Sequence, residues 1–175
     1  MLFFGTHQQA ELKRFCLKIW LALGILGFCH CSVVLNYQLA RVKKVYDGDT
    51  ILLTNGERVR YLYIDTPEIH HPRKPPEPYG YLAWHKNQEL LKSGVVILRY
   101  DLTRRDRYGR LLARVYSRNK YLNAELVKMG YARVLIIPPN IADKNYLLSL
   151  QKQAKTQLLG IWSPEPAIPK SEYGF

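Results

Sequence analysis

The chain is short of cysteine and of acidic residues, and each shortage excludes a class of function. All three cysteines lie within the first 31 residues, so the rest of the chain has no thiol nucleophile, no disulfide and no Cys-based zinc site. Only 14 acidic residues stand against 26 basic ones, which gives a net charge of +12. From Gln38 onward, 23 basic and 13 acidic residues still leave +10. A charge of this size indicates an anionic partner, nucleic acid or a membrane surface, and its place in the body favours nucleic acid.

Long apolar runs are confined to the N-terminus. Lys13-Arg14 precedes the apolar residues 15–29, which is the layout of a secretory signal with a possible cut before Ser32. Polar residues interrupt the run, which weakens a transmembrane interpretation, since that needs about 20 mostly apolar residues. We predict that residues 1–37 are a signal peptide or an uncleaved signal anchor, and cleavage of residues 1–31 is left open. The protein is then exported (periplasmic or secreted), or tethered to the membrane.

The remaining sequence predicts one domain over residues 38–163, followed by a proline-containing tail over residues 164–175. Predicted strands span 40–46, 50–54, 58–64, 95–100 and 111–116, and predicted helices span 79–93, a short segment capped by Asn123, and 143–159. Asp47-Gly-Asp49 and Asn55-Gly56 are turn sequences between strands, so the first three strands form an antiparallel meander. Strands that come first, with helices interspersed and late, indicate a small α+β barrel.

The few acidic residues gather at strand ends. Antiparallel pairing can bring Asp49 and Asp65 to the same end of the sheet, where two facing carboxylates need a cation to relieve their repulsion. With oxygen ligands only, the expected ion is Ca²⁺ or Mg²⁺. Pro67 keeps Thr66 out of the helical region, which makes the Thr66 carbonyl a third candidate ligand. Glu68 is then left to orient or deprotonate a water.

Two arginines could supply the fixed cations that phosphodiester cleavage needs, because Arg binds phosphate oxygens bidentately. Arg110 follows a tight turn at Gly109. Arg60 precedes Asp65 by an odd offset, which places the two side chains on opposite faces of a regular strand. A bend or bulge is therefore expected if both reach one site.

Six motifs occur in a fixed order along the body. They are Val45-Tyr-Asp-Gly-Asp-Thr50, Arg60-Tyr-Leu-Tyr-Ile-Asp-Thr-Pro-Glu68, His71-Pro72, Tyr79-Gly80, Arg107-Tyr-Gly-Arg110 and Asn123-Ala-Glu-Leu-Val127. In this order they resemble the staphylococcal nuclease-like proteins (thermonucleases), and the resemblance covers residues from about 41 to 162.

The resemblance implies a fold, an activity and a set of site residues. The fold is an OB-fold five-stranded β-barrel with packed α-helices, which is an α+β class. The activity is Ca²⁺-dependent hydrolysis of DNA and RNA with little sequence preference, leaving 3′-phosphate ends, and we expect a monomer. By position, the metal ligands are Asp49, Asp65 and the Thr66 carbonyl, the catalytic residues are Arg60, Glu68 (general base) and Arg110, and the substrate-binding residues are Arg107 and Tyr108.

One stretch departs from the family. Where its best-known member has two tyrosines flanking the bound nucleotide, this chain has Val134-Leu-Ile-Ile-Pro138, with no aromatic residue and one residue fewer. Base stacking contributes about 1–3 kcal/mol per base. Substrate affinity and base preference are therefore expected to differ near Leu135 and Ile137.

Two other functions fit parts of the sequence. A catalytically silent OB-fold module would bind nucleic acid without cleaving it, and a membrane-attached basic adaptor would bind anionic lipid. The first predicts loss of the carboxylates or arginines, and the second leaves the carboxylates without a purpose. All five charged positions implied by the resemblance are present, so the sequence favours the enzyme.

Overall fold

The computed structural model describes residues 36–164. Its strands are β1 (Tyr37–Val45), β2 (Thr50–Leu53), β3 (Arg58–Tyr61), β4 (Ile64–Asp65), β5 (Val95–Arg99), β6 (Leu111–Ser117), β7 (Lys120–Tyr121) and β8 (Arg133–Val134). Its α-helices are α1 (Gly80–Leu90), α2 (Leu122–Lys128) and α3 (Lys144–Thr156), and a 3₁₀ helix spans Gly160–Trp162.

Five strands close into a barrel in the order β3-β2-β1-β5-β6. Neighbouring strands run antiparallel, and a parallel pairing of β3 with β6 joins Val59 to Leu111 and closes the ring. The short strands β4 and β8 pair separately, and β7 extends β6. The predicted class, an α+β fold built on a five-stranded OB-type barrel, is confirmed.

The barrel interior follows from the alternation of side chains along the strands. Strand β6 alternates strictly between buried and half-buried residues, with Ala113 and Val115 fully inside. On β3, Val59 and Tyr61 point inward, while Arg58 and Arg60 point outward. Helices α2 and α3 add Leu126 and other fully buried side chains to the same core, and each such leucine stabilises the fold by about 1.5–3 kcal/mol.

The predicted strand 58–64 is in fact two strands with a break between them. β3 ends at Tyr61, Tyr63 adopts a left-handed φ of 69°, and β4 begins at Ile64. The break is held on both sides, because Leu62 N donates to Ala113 O at 2.9 Å and Leu135 N donates to Tyr63 O at 2.8 Å. This is the bend that the odd spacing of Arg60 and Asp65 requires.

The prediction that Asn123 caps the short helix is wrong. Tyr121 occupies the N-cap position, and Asn123 lies one residue inside α2 with its side chain fully buried. Its Oδ1 accepts the Val115 N–H at 2.9 Å, and its Nδ2 donates to Leu62 O at 2.8 Å. An asparagine can satisfy distant backbone groups as well as local ones, and this one fastens α2 to β6 and to the break after β3.

The predictions for both chain ends largely fall outside the described residues. The predicted signal segment 1–37 and the predicted tail 164–175 overlap the structure only at their inner edges, so export and anchoring stay predictions. Among residues 36–164, no helix is long and apolar enough to cross a bilayer. The same residues fall within a single compact unit.

Candidate active site

Asp49 is a buried carboxylate at the turn between β1 and β2. It is only 4% exposed, and its Oδ2 accepts the Thr66 N–H at 2.8 Å while its Oδ1 accepts the Thr50 hydroxyl at 3.1 Å. Burial raises the pKa of Asp49 to about 6, against the opposing charge of Arg60, and the nearby Asp47 adds to the rise. The carboxylate therefore sits where additional positive charge would stabilise it.

Arg60 joins Asp49 to Asp65. Its Nη1 forms an ion pair with Asp49 Oδ2 and donates to Ile64 O at 3.0 Å, and its Nη2 binds Asp65 Oδ1 at 2.6 Å. The Arg60 guanidinium thus contacts both carboxylates and connects Asp49 to Asp65. The Asp65 side chain is half exposed, and burial of its inner half raises its pKa despite Arg60.

The predicted metal ligands fit a hard cation. Asp49 and Asp65 both pair with the Arg60 guanidinium, and the Thr66 carbonyl accepts no hydrogen bond from any of residues 36–164 although Thr66 is buried. Within that range, no group of three or more His, Cys, Asp or Glu side chains is placed to hold an ion. Two carboxylates, a carbonyl and waters are a donor set that Ca²⁺ accepts, because it takes 6–8 oxygen ligands in flexible geometry.

Glu68 is exposed at the start of the proline-rich loop. Its Oε1 accepts the backbone N–H groups of Ile69 at 2.9 Å and His70 at 2.8 Å, which fixes the direction of the carboxylate. Burial is the main cause of the raised pKa of Asp47, and the charge of Glu68 adds to it, so Glu68 lies within electrostatic reach of the Asp47-Gly-Asp49 turn. No direct contact joins Glu68 to Arg60 or Arg110 in the described part of the chain.

Arg110 is held at the entry to β6 by Asp106. Asp106 Oδ2 accepts the Arg110 Nε–H at 2.7 Å, and its Oδ1 accepts the backbone N–H groups of Tyr108 and Arg110 at 2.9 and 3.0 Å. Burial opposes ionisation of Asp106, but these hydrogen bonds from Arg110 and its neighbour outweigh it and lower the Asp106 pKa. Gly109 completes the turn with a φ of 79°.

Tyr108 lies beside two arginines of this turn, the predicted substrate-binding residue Arg107 and the predicted catalytic residue Arg110. The Arg107 and Arg110 guanidinium carbons lie 4.8 and 5.5 Å from its ring centroid, and Arg107 Nη2 donates to its hydroxyl at 2.6 Å. The ring itself is 68% exposed. An exposed aromatic ring with two cations beside it suits an anionic ligand that also carries a flat base.

A cavity of about 520 Å³ joins the two groups of residues. It is lined by four cations, Arg60, Arg105, Arg107 and Arg110, by Asp106, and by apolar side chains that include Leu112, Leu135 and Ile137. The volume is that of a small-molecule site. Arg60 borders both the cavity and the carboxylate pair, so it connects them.

The structure therefore brings most of the predicted site residues into two clusters, which the cavity connects through Arg60, while Glu68 belongs to neither. Arg60, Asp49, Asp65 and Thr66 form one, and Arg107, Tyr108 and Arg110 form the other. Asp106, which orders the turn before Arg110, was not predicted from the sequence. Its position four residues before Arg110, in a polar run, was a signal that could have indicated this role. Arg105, which binds Glu57 and Gly109 O and lines the cavity, was not predicted either.

Comparison with known proteins shows the family of the chain. The family model described as staphylococcal nuclease homologue matches residues 58–164. The chain is 40% identical over 124 residues to the thermonuclease of Staphylococcus intermedius, which covers 69% of this chain and 74% of that protein. It is 43% identical over 125 residues to the SPbeta prophage-derived endonuclease YokF and 42% identical over 125 residues to endonuclease YncB, both of Bacillus subtilis strain 168.

The two Bacillus relatives are longer proteins. The matched region covers 69% of this chain in both cases, but only 42% of YokF and 59% of YncB. The family match spans well over half of the chain and includes Arg60, Asp65, Thr66, Glu68 and Arg110. On this evidence, the chain belongs to the staphylococcal nuclease family.

Proposed function

We propose that the protein is a Ca²⁺-dependent endonuclease that hydrolyses DNA and RNA and leaves 3′-phosphate ends. The observation that carries this proposal is that two arginines distant in the chain, Arg60 and Arg110, line one cavity, with a carboxylate pair bound to Arg60. Arg60 points outward from β3, and Arg110 directly precedes β6. The relatives named endonuclease and thermonuclease support the same class of reaction.

The arginines act on the phosphate. The attack of water on phosphorus concentrates negative charge on the phosphate oxygens, and Arg60 and Arg110, which both line the cavity, donate N–H groups to those oxygens. Asp106 holds the Arg110 side chain in place through its Nε, which leaves both terminal nitrogens of Arg110 available to donate. The bound strand is positioned by Arg107 and the Tyr108 ring.

Glu68 acts on the water. Its fixed carboxylate accepts a proton as the water oxygen bonds to phosphorus. The bond from phosphorus to the 5′-oxygen then breaks, and that oxygen takes a proton from solvent, which leaves the phosphate on the 3′ side. Asp49, Asp65 and the Thr66 carbonyl would hold Ca²⁺, which would supply further stabilisation of charge on the phosphate.

The test is digestion of single-stranded DNA and RNA by the purified full-length chain, with added Ca²⁺ and with a calcium chelator. We expect cleavage with Ca²⁺ and none with the chelator. Glu68→Gln should reduce kcat by about 10²- to 10⁴-fold, because it removes a general base. Glu125→Gln, the same chemical change on helix α2, should leave kcat unchanged.

Three results would contradict parts of the proposal. Salt-sensitive DNA binding without cleavage under any divalent ion would leave the catalytically silent OB-fold module. Cleavage that persists in the chelator would reject the Ca²⁺ requirement. Full activity of Glu68→Gln would reject Glu68 as the base while leaving the nuclease activity in place.

A further inference from the structure

The outer face of strands β1, β2 and β3 carries further cationic side chains that do not line the cavity. The strand register places Lys44 opposite Leu52, and Leu52 opposite Arg58, so these residues form one row across the sheet. Thr50 and Arg60 form the next row. Arg58 and Arg60 are two residues apart on β3 and share a face, which separates their Cα atoms by about 7 Å. A cationic row thus adjoins the catalytic Arg60.

Tyr46 holds two of these cations together. The Lys44 Nζ and the Arg58 guanidinium carbon each lie 5.1 Å from the Tyr46 ring centroid, so they are at most about 10 Å apart, twice that distance. Both side chains belong to exposed residues, and neither forms an ion pair with a carboxylate in residues 36–164. Two like charges held against one ring repel each other, and an anion bound beside them relieves that repulsion.

The position of Tyr46 is fixed from two sides. Its backbone N–H donates to Thr50 O at 2.9 Å, and its carbonyl oxygen lies 2.8 Å from the His70 Nε2. Thr50 is the strand partner of Arg60, and His70 follows Glu68 by two residues. The backbone of Tyr46 is therefore anchored to the same segments that carry the proposed catalytic residues.

The cluster and the cavity extend from Arg60 in different directions across the sheet. On the β6 side, the strand partner of Arg60 is Leu112, which lines the cavity. Arg58 lies at the start of β3, and Lys44 and Tyr46 lie beyond β2, where β1 ends; none of these three residues lines the cavity. A nucleic-acid strand whose reacting phosphate lies at Arg60 would meet the cavity in one direction and the cluster in the other.

We propose that Lys44, Tyr46 and Arg58 form a second phosphate-binding subsite, the outer subsite, which holds the substrate strand on the far side of the reacting bond. The proposal rests on the proposed nuclease function. It makes the enzyme selective for polynucleotides over very short substrates, because only a strand of several nucleotides reaches both the cavity and the outer subsite. Recognition is of the phosphate backbone and carries no base preference.

The test compares the Lys44→Gln/Arg58→Gln double variant with wild type on two substrates. One is a single-stranded oligonucleotide of about 20 nucleotides, longer than the ~4–16 nucleotides that an OB fold covers, and the other is a dinucleotide. For the long substrate, we expect KM to rise about tenfold with kcat unchanged, as for the loss of about 1.4 kcal/mol of binding. For the dinucleotide, both constants should stay the same.

A charge-matched control separates the outer subsite from general electrostatics. Lys120→Gln/Lys152→Gln removes the same charge from exposed positions on β7 and α3, and it should leave the KM for the long substrate close to wild type. Equal KM values for the two double variants would reject the outer subsite. An equal loss on long and short substrates would also reject it, because that pattern indicates a disturbed catalytic centre.

A binding measurement keeps the test independent of catalysis. With the chelator present, fluorescence anisotropy of the labelled oligonucleotide gives the slope of log K against log salt concentration. The Lys44→Gln/Arg58→Gln slope should be shallower than wild type by about 0.7 for each phosphate that the variant no longer neutralises. If wild type cleaves neither substrate, the proposed function fails, and the salt slope alone decides on the outer subsite. An unchanged slope would overturn it.

Discussion

Replacing Asn123 with alanine tests how the fold holds the site together. Asn123 accepts the single hydrogen of the Val115 N–H and donates to the Leu62 carbonyl, and both residues are buried. No other hydrogen bond to the Leu62 carbonyl is seen in residues 36–164. Its longer hydrogen bond to Ala113 O, at 3.4 Å, matters less, because that carbonyl also accepts from Leu62 N. The substitution therefore leaves two buried polar groups without a partner.

The expected cost follows from those two groups. Each buried backbone group left without a partner lowers the free energy of unfolding by about 1–3 kcal/mol. Alanine raises it by about 0.5 kcal/mol, because its helix propensity is higher than that of asparagine. We expect the free energy of unfolding to fall by about 2–5 kcal/mol, which is within the total stability of about 5–15 kcal/mol for a domain. The variant should still fold, and its urea midpoint should fall with the m-value unchanged.

The assay is urea unfolding of wild type, Asn123→Ala and Asn145→Ala. Asn145 is exposed on α3, so its replacement should change stability by no more than about 0.5 kcal/mol. A loss below about 1 kcal/mol for Asn123→Ala would refute the reasoning, since it is the lower limit for even one unsatisfied buried group. Because Leu62 borders the break that positions Arg60 and Asp65, we also expect the folded variant to lose kcat.

Three further predictions concern other parts of the site and its supports. Gly48→Ala should destabilise the protein by about 1–3 kcal/mol and reduce nuclease activity. The reason is steric, because a Cβ at this position would lie 2.7 Å from Thr66 Oγ1 and 2.8 Å from Ala83 Cβ. Thermal unfolding measures the first effect, and the rate of digestion measures the second. Asp106→Asn should lower kcat about tenfold or more with little change in KM, since it loosens Arg110; an unchanged kcat would show that Arg110 needs no orienting partner. Burial opposes ionisation of Asp101, but hydrogen bonds from Tyr63 Oη and a backbone N–H lower its pKa below the ordinary 3.8. The ionised Asp101 side chain therefore stabilises the folded protein fully at pH values above 3.8, and this stabilisation is lost as the pH falls through the lower pKa of Asp101 in the folded state. Asp101→Asn should be less stable than wild type at pH 6, with a smaller gap at pH 3, and a gap that does not narrow would contradict this.

Much of the fold was predictable because its signals are local. Asn55-Gly56 forms the turn of the β2–β3 hairpin, with Gly56 at a φ of 88°, and the alternation on β6 matches its burial. The odd spacing of Arg60 and Asp65 also predicted a bend, which the structure provides at Tyr63. These features depend on a few neighbouring residues, so the sequence alone carries them.

The parts that were not predictable depend on residues far apart in the chain. Asn123 resembles a helix cap, but its partners are Val115 and Leu62, and nothing near Asn123 indicates them. Arg114 had no signature either, yet it donates to Asp143 at 2.8 Å and to the Tyr63 hydroxyl at 3.2 Å, and it links three segments under the cavity. Strand β8 is two residues long and exists only because β4 lies beside it.

The closure of the barrel has a consequence for when the protein can act. Arg60 belongs to β3 and Arg110 precedes β6 by one residue, and the parallel pairing of these two strands is the contact that seals the ring. A chain that has formed every hairpin and helix, but has not made this long-range pairing, contains all the reactive side chains and still lacks the arrangement that uses them. Catalytic competence of the proposed nuclease therefore requires this long-range pairing, and the rate of DNA digestion during refolding would report when the pairing forms.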